Sequence, residues 1–414
     1  MPAPPVAPER WTLDKLYTVR AAHCDHRADD EAVYRALCRV TDPLERAWER
    51  LEAAARIALK VNLVWPPEKL RFHAGRRCEL VDDSVLRAVL RRLKERCRGQ
   101  ITVADTSLER DQHDLYFFDQ LAEYGVDFVN CSEPPAEVFE PAGGGLMFGR
   151  YLLHPIIRQA DAMVSLATLK SHNFMGVTLT TKNLFGLCPM HPANRPRTYF
   201  HHIVRLPYVL ADLARITRPA LNIVDGLVAQ TGVEWGGDPL VTNALLAGDH
   251  GIATDFCGCL LMGNDPTADF PTPPFRRDRN HLRVAAAAGW GPARLDEIDW
   301  RHDLDLPLGQ FDSNDKDSPE RVAAWQASMV EQALAWEADP QPTLQAHPGS
   351  YAMIQDNQVL WHGEFWHGFR SRRDLAGVKP DRAIWLKYLD PEDFEQERFE
   401  VYRRHLAEAG VPVL

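Results

Sequence analysis

The chain has no basic excess. Against 47 Lys and Arg stand 58 Asp and Glu in 414 residues, a formal net charge of −11 with histidine neutral. A protein that tracks nucleic-acid phosphates concentrates positive charge, so this balance argues against broad nucleic-acid binding. Long apolar runs are also missing: none approaches the roughly 18–20 residues that span a bilayer, which speaks against membrane insertion. Cysteine is sparse and irregular, eight residues at positions 24, 38, 78, 97, 131, 188, 257 and 259. Such spacing in a chain of this size predicts reduced thiols rather than a disulfide framework. Residues 1–8 are proline-rich with no apolar core of a secretory signal, and the expected location is the cytoplasm. Gly-x-Ser-x-Gly, a P-loop and Gly-x-Gly-x-x-Gly are all absent, as are internal repeats; Gly143-Gly144-Gly145 precedes no strand–helix turn of the dinucleotide type.

What is present alternates. β-rich runs at 57–64, 100–105, 126–130, 162–169 and 221–228 are separated by segments of helical periodicity. The pattern predicts an α/β fold, a mixed or parallel sheet flanked by helices, with N- and C-terminal extensions. The clearest helix opens at Asp82-Asp83-Ser84, carries Val85, Leu86, Val89, Leu90 and Leu93 at helical spacing, and closes on Lys94, Arg96 and Arg98. Further helices are predicted over 151–160, 203–216, 251–262, 319–336 and 391–409. Three regions follow: an extension over 1–52, an α/β core over 53–295, and an aromatic, helical region over 296–414 read as a lid or oligomer surface. Its most aromatic stretch runs from Trp361 to Phe369.

The run Leu169-Lys170-Ser171-His172-Asn173-Phe174-Met175-Gly176-Val177-Thr178-Leu179-Thr180-Thr181-Lys182-Asn183-Leu184-Phe185-Gly186 mixes two lysines, a histidine and two asparagines with large apolar residues just after a strand-like segment. A core strand excludes those charges and a solvated loop excludes Phe174, Met175, Leu184 and Phe185, so the pattern describes a half-buried polar pocket. The segment resembles the signature of the family called domain of unknown function 362. Stretches at 57–63, 101–105, 222–226 and 245–266 resemble it in the same order, and the resemblance covers roughly residues 53–295. It implies a shared fold more than a reaction. Some members carry an appended iron–sulfur module, but no ferredoxin-type cysteine spacing occurs here.

In open α/β sheets ligands bind at the carboxyl ends of strands, where Asn62, Asp105, Lys170, His172 and Asp225 are predicted to fall. Lys60, Lys170 and Lys182 supply ammonium groups and Asn62, Asn173 and Asn183 neutral donors, a set suited to a carboxylate or phosphate. The substrate-binding candidates are therefore Lys60, Asn62, Asp105, Lys170, Asn183 and Asp225, for a small anionic organic molecule. His172 and Lys182 are the candidates for proton transfer. Asp255, inside an otherwise apolar helix, needs a partner such as Lys182 or Lys60 and joins them as a catalytic candidate. Cys188, His191, His201 and His202 offer thiolate and imidazole within fifteen residues, a candidate transition-metal set that Cys257 and Cys259 could complete. Three readings stand: an acid–base enzyme for a small anion, set in specialised metabolism; a metal-dependent redox enzyme; and a non-catalytic ligand-binding or scaffold protein.

Overall fold

The computed structural model describes residues 16–63, 69–106, 115–190, 197–313, 316–364, 379 and 381–408; the side chains of residues 197–198 and 406–408 are not described. The main sheet is built from β1 (Tyr17–His23), β2 (Arg56–Lys60), β3 (Gln100–Asp105), β4 (Asp127–Asn130), β5 (Ala162–His172), β6 (Gly176–Thr178), β7 (Leu221–Thr231), β8 (Asp238–Gly248) and β9 (Ile298–His302). Its spatial order is β9-β1-β8-β7-β5-β2-β3-β4, with β6 folded back onto β5. The block β7-β5-β2-β3-β4 is parallel. β8 is antiparallel to both of its neighbours, and β9 runs parallel to β1.

Alternation along the strands sorts side chains into two apolar layers, because successive residues point to opposite faces. Ile57, Leu59, Val164, Leu166, Ile223 and Leu245 join one layer with α1 (Asp30–Thr41) and α2 (Asp83–Arg96). Ala58, Met163, Val224 and Leu246 join the other with α3 (Arg205–Thr217), α4 (Gly251–Leu261) and α5 (His281–Ala287). The start of α2 follows from its sequence: Asp82 caps it by accepting from the Ser84 amide at 3.0 Å.

The predicted α/β architecture is what the chain adopts, with revised limits. β5 reaches His172, three residues beyond the predicted strand end. The helix expected over 151–160 is instead a short strand, Tyr151–Leu153, paired with Glu137–Phe139, and one turn of helix, Ile156–Gln159. Pro155 explains the break, since the residue before a proline is disfavoured in the helical region. The stretch read as an N-terminal extension contributes β1, and the region past 296 contributes β9, so residues from both flanking regions complete the sheet.

Beyond β9, α6 (Pro319–Ala338) and α7 (Phe399–Glu408) pack with a small sheet of β10 (Tyr351–Gln355), β11 (Gln358–Gly363) and β12 (Trp385–Tyr388). α7 starts later than predicted because Asp390 accepts from the Glu392 and Phe394 amides, at 3.0 Å each, and holds the preceding residues in a turn. Trp361 packs against the main core, while residues 365–369 of the aromatic stretch lie outside the described residues.

Candidate functional site

The strand ends gather polar side chains in adjoining clusters. In the first, the Lys60 ammonium meets Asp105 Oδ1 at 2.8 Å and donates to Asn183 Oδ1 at 3.0 Å and to the Val61 carbonyl. Asp105 Oδ2 accepts from the Leu63 amide at 2.8 Å. The Asn183 amide donates to Ser165 Oγ at 3.0 Å and to the carbonyls of Lys60 and Leu166 at 3.3 and 3.2 Å. Lys60, Asp105 and Asn183 thus satisfy one another as a closed internal ion pair. Gly186 permits it: a Cβ there would lie 2.5 Å from Asp105 Oδ1 and 2.6 Å from Lys60 Nζ.

The second cluster surrounds Lys170. Its side chain is buried, and Nζ donates to the Glu79 carbonyl at 2.6 Å and lies 4.2 Å from the centre of the Trp235 ring. Burial pulls its pKa down to about 8, against the opposing pull of the Glu234, Glu79 and Asp105 carboxylates. Near Lys170 the register between β5 and β7 slips: Asp225 faces Thr168, but the next partner, Gln230, faces Lys170. The slip loosens the pairing there, and the β7–β8 turn that follows brings Glu234 and Trp235 over the lysine.

Two residues on, His172 Nδ1 accepts from the Phe174 and Met175 amides at 3.0 and 3.2 Å. Accepting at Nδ1 leaves the proton of a neutral ring on Nε2. Glu234 Oε2 lies 3.7 Å from Nδ1 while accepting from the Asn173 amide at 2.8 Å. One carboxylate therefore neighbours both titratable groups. The aromatic side of the cluster continues through His201, whose ring centre is 5.8 Å from His172, 5.0 Å from Phe174 and 5.6 Å from Phe185. The Lys182 ammonium lies 4.7 Å from the Phe185 ring centre. Lys170, His172 and Lys182, neighbours in sequence, thus line one continuous set of contacts.

Other candidates fall elsewhere. Asp225 is buried with both oxygens on backbone amides, Asp82 at 2.8 Å and Leu227 at 3.1 Å. Burial and then the Asp82 carboxylate push its pKa up to about 7. Asn62 is half-buried, its backbone carbonyl accepting from the Val81 amide at 3.3 Å and its Oδ1 without a hydrogen-bond partner among the described residues. The lysine partner expected for Asp255 is corrected: Asp255 accepts from the Thr180 and Thr181 amides at 2.8 Å each and from the Thr180 hydroxyl at 2.5 Å. It anchors the turn that carries Lys182, and burial pushes its pKa up to about 6. Cys188 and His202 are buried, and His191 lies outside the described residues. Among the described residues no three His, Cys, Asp or Glu side chains are placed to hold a metal ion. No helix of the described residues is long and apolar enough to cross a membrane.

Glu79, Glu234 and Trp235 escaped the sequence reading. Glu79 holds a left-handed backbone, φ 74°, and its Oε1 accepts from Arg71 at 2.6 Å and from the Gly236 amide at 2.5 Å. The available signal was Gly232-Val233-Glu234-Trp235-Gly236-Gly237, where a tryptophan and a carboxylate sit among turn glycines. A cleft of about 890 Å³ lies apart from this chemistry, between α5 and residues such as Leu146, Tyr208 and Arg404. We place the site by its side chains, since a cleft lined mainly by alanine, leucine and arginine on one surface offers no comparable set of titrating groups.

Comparison with known proteins agrees with the core. The family model described as "Domain of unknown function (DUF362)" matches residues 57–260. The thylakoid-associated protein sll1697 of Synechocystis sp. (strain PCC 6803) is 32% identical over 119 residues, 27% of this chain and 36% of that protein. The chain therefore spans about a third of the length of that relative, 36%. The lactate racemase apoprotein from Thermoanaerobacterium thermosaccharolyticum aligns over 58% of this chain and 56% of its own at 13% identity, with a TM-score of 0.35, and no conclusion rests on it. Over residues 57–260, the chain belongs to the domain of unknown function 362 family.

Proposed function

We propose that this protein is an acid–base enzyme for a small organic anion, with proton transfer at Lys170 and His172. The observation that carries this reading is the Lys170 amine, 1% exposed, its pKa drawn down to about 8 in a site that also holds an imidazole and a carboxylate. Structural ion pairs keep lysines charged; a lysine whose neutral form is accessible near neutral pH is suited to accept a proton. The step is abstraction of a proton from a carbon next to a carbonyl or carboxylate: the C–H electrons move into the adjacent C=O, and Lys170 Nζ takes the proton. His172, with its proton on Nε2, is suited to protonate that developing oxygen or the opposite face of the carbon. Trp235 covers the amine, its ring centre 4.2 Å from Nζ.

The test is hydrogen–deuterium exchange. The protein is incubated in D2O with a panel of small hydroxy, keto and amino acids, and deuterium gained at carbon is followed by NMR. We expect exchange into at least one class of compound, and its loss in Lys170→Met and His172→Gln variants of native thermal stability. Exchange that survives Lys170→Met, or no exchange across the panel, would overturn the reading.

A further inference from the structure

His281 opens α5, beyond the family match that ends at residue 260, and had no place among the candidate residues. Its side chain is 0% exposed, and neither Nδ1 nor Nε2 has a hydrogen-bond partner among the described residues. Leaving two buried polar atoms unsatisfied is costly, and native structures seldom do so without a reason. Poor local packing is not that reason. The neighbouring Asn280 is fully engaged: its side-chain amide donates to the Pro266 and Ala268 carbonyls at 2.8 Å each, and its Oδ1 accepts from the Leu282 amide at 2.9 Å.

The surroundings name a ligand class. Burial holds the His281 ring neutral, with a pKa of about 3, and the charge acting on it is the Lys182 ammonium. The same ammonium lies on Phe185, whose ring contacts His201 and through it His172. α4 packs both on the turn carrying Lys182 and on α5, so one helix joins the two elements that hold these residues. A neutral imidazole beside an ammonium presents an N–H donor and a positive charge, which complement an oxyanion and repel a cation.

We propose that Lys182 and His281 form a subsite for the carboxylate of the substrate. The inference rests on the acid–base reading above and supplies what that reading lacks, a group that holds the anion while Lys170 and His172 handle the proton. Fixing the carboxylate there orients the adjacent carbon for proton transfer.

The test measures anion binding and not turnover. The full chain, with ¹⁵N-labelled histidine rings, is titrated with sodium acetate and with inorganic phosphate, and sodium chloride at equal ionic strength serves as control. His281 is assigned by the resonance lost in His281→Gln. We expect a saturable acetate shift at His281 that chloride does not reproduce, and affinity weakened about tenfold or more in Lys182→Met. No acetate shift at His281, or the same affinity in Lys182→Met, would show that the ring is satisfied by water. Saturation by phosphate but not acetate would overturn the carboxylate class. Should Lys182→Met fail to fold, acetate-dependent thermal stabilisation of His281→Gln and His281→Phe replaces it, with loss expected in the phenylalanine variant and partial retention by the glutamine amide. Deuterium exchange reports separately on Lys170: exchange retained without acetate binding removes the subsite alone, and acetate binding without exchange removes the acid–base reading.

Discussion

Glu234 stands 3.7 Å from His172 and exerts the largest single opposite charge on Lys170, so one turn residue couples the two groups to which proton transfer is assigned. Two substitutions on that turn should act in opposite directions. Glu234→Gln removes a charge that holds the ammonium in its protonated form, and the Lys170 pKa should fall below about 8. Trp235→Ala admits water to an amine whose pKa is lowered chiefly by burial, and the value should rise toward that of a free lysine. With neutral Lys170 as base, exchange in the parent protein should increase with pH through a midpoint of about 8. The pH profile of deuterium exchange reads all three. Midpoints that coincide among the parent and both variants would separate Lys170 from the chemistry.

Gly186→Ala should disrupt the closed ion pair below the site. Its Cβ would enter the space between Lys60 and Asp105, within 2.5 Å of atoms of both. Those side chains are 2% exposed and cannot step into water without leaving partners uncompensated. A loss of about 3 kcal/mol is expected. Urea denaturation measures it, and an unchanged midpoint would mean that the turn moves aside freely.

The C-terminal module is tied to the core by buried charges. Lys387 donates to Glu395 at 2.8 Å and Glu397 at 2.6 Å; Glu397 also meets Arg205 of α3 at 2.8 Å and accepts from the Tyr402 hydroxyl at 2.6 Å. Glu395 accepts from the Tyr199 hydroxyl at 2.8 Å, two residues before His201. Lys387→Met leaves two carboxylates sharing Arg205, and should cost about 3–5 kcal/mol. Limited proteolysis should then cut residues 319–408 earlier than the core. Equal cleavage rates in parent and variant would argue that packing alone holds the module.

His281 also predicts an acid response. Its folded-state pKa is about 3, well below the ordinary 6.5, so its contribution to stability is complete above pH 6.5 and is lost as pH falls through that window. His281→Gln removes the extra proton that the unfolded chain takes up there. The decline of unfolding free energy on acidification should become shallower by up to about 1.4 kcal/mol per pH unit, relative to the parent. Parallel curves from pH 6.5 to 4 would mean that the ring is not held neutral.

Local pattern was enough for most of the core. Alternating apolar residues set β2, β3 and β5, an aspartate cap and helical spacing set α2, and the charged run from Lys170 to Gly186 marked a pocket, because each signal lies within a few residues of chain. Lys170, His172 and Lys182 were legible for that reason. Their partners were not. Glu79, Glu234, Trp235, His201 and His281 reach them from four other parts of the sequence, and no spacing rule connects a turn at 234 or a helix start at 281 to a strand end at 172. Tertiary structure also separated residues that looked alike: Lys60 found Asp105 and became an internal ion pair, whereas Lys170 found a carbonyl and an indole. The sequence by itself determined which elements form and which residues carry charge into them. Only folding decided which of those charges is neutralised by a partner, and for Lys170 burial outweighs the pull of the nearby carboxylates and brings the pKa to about 8.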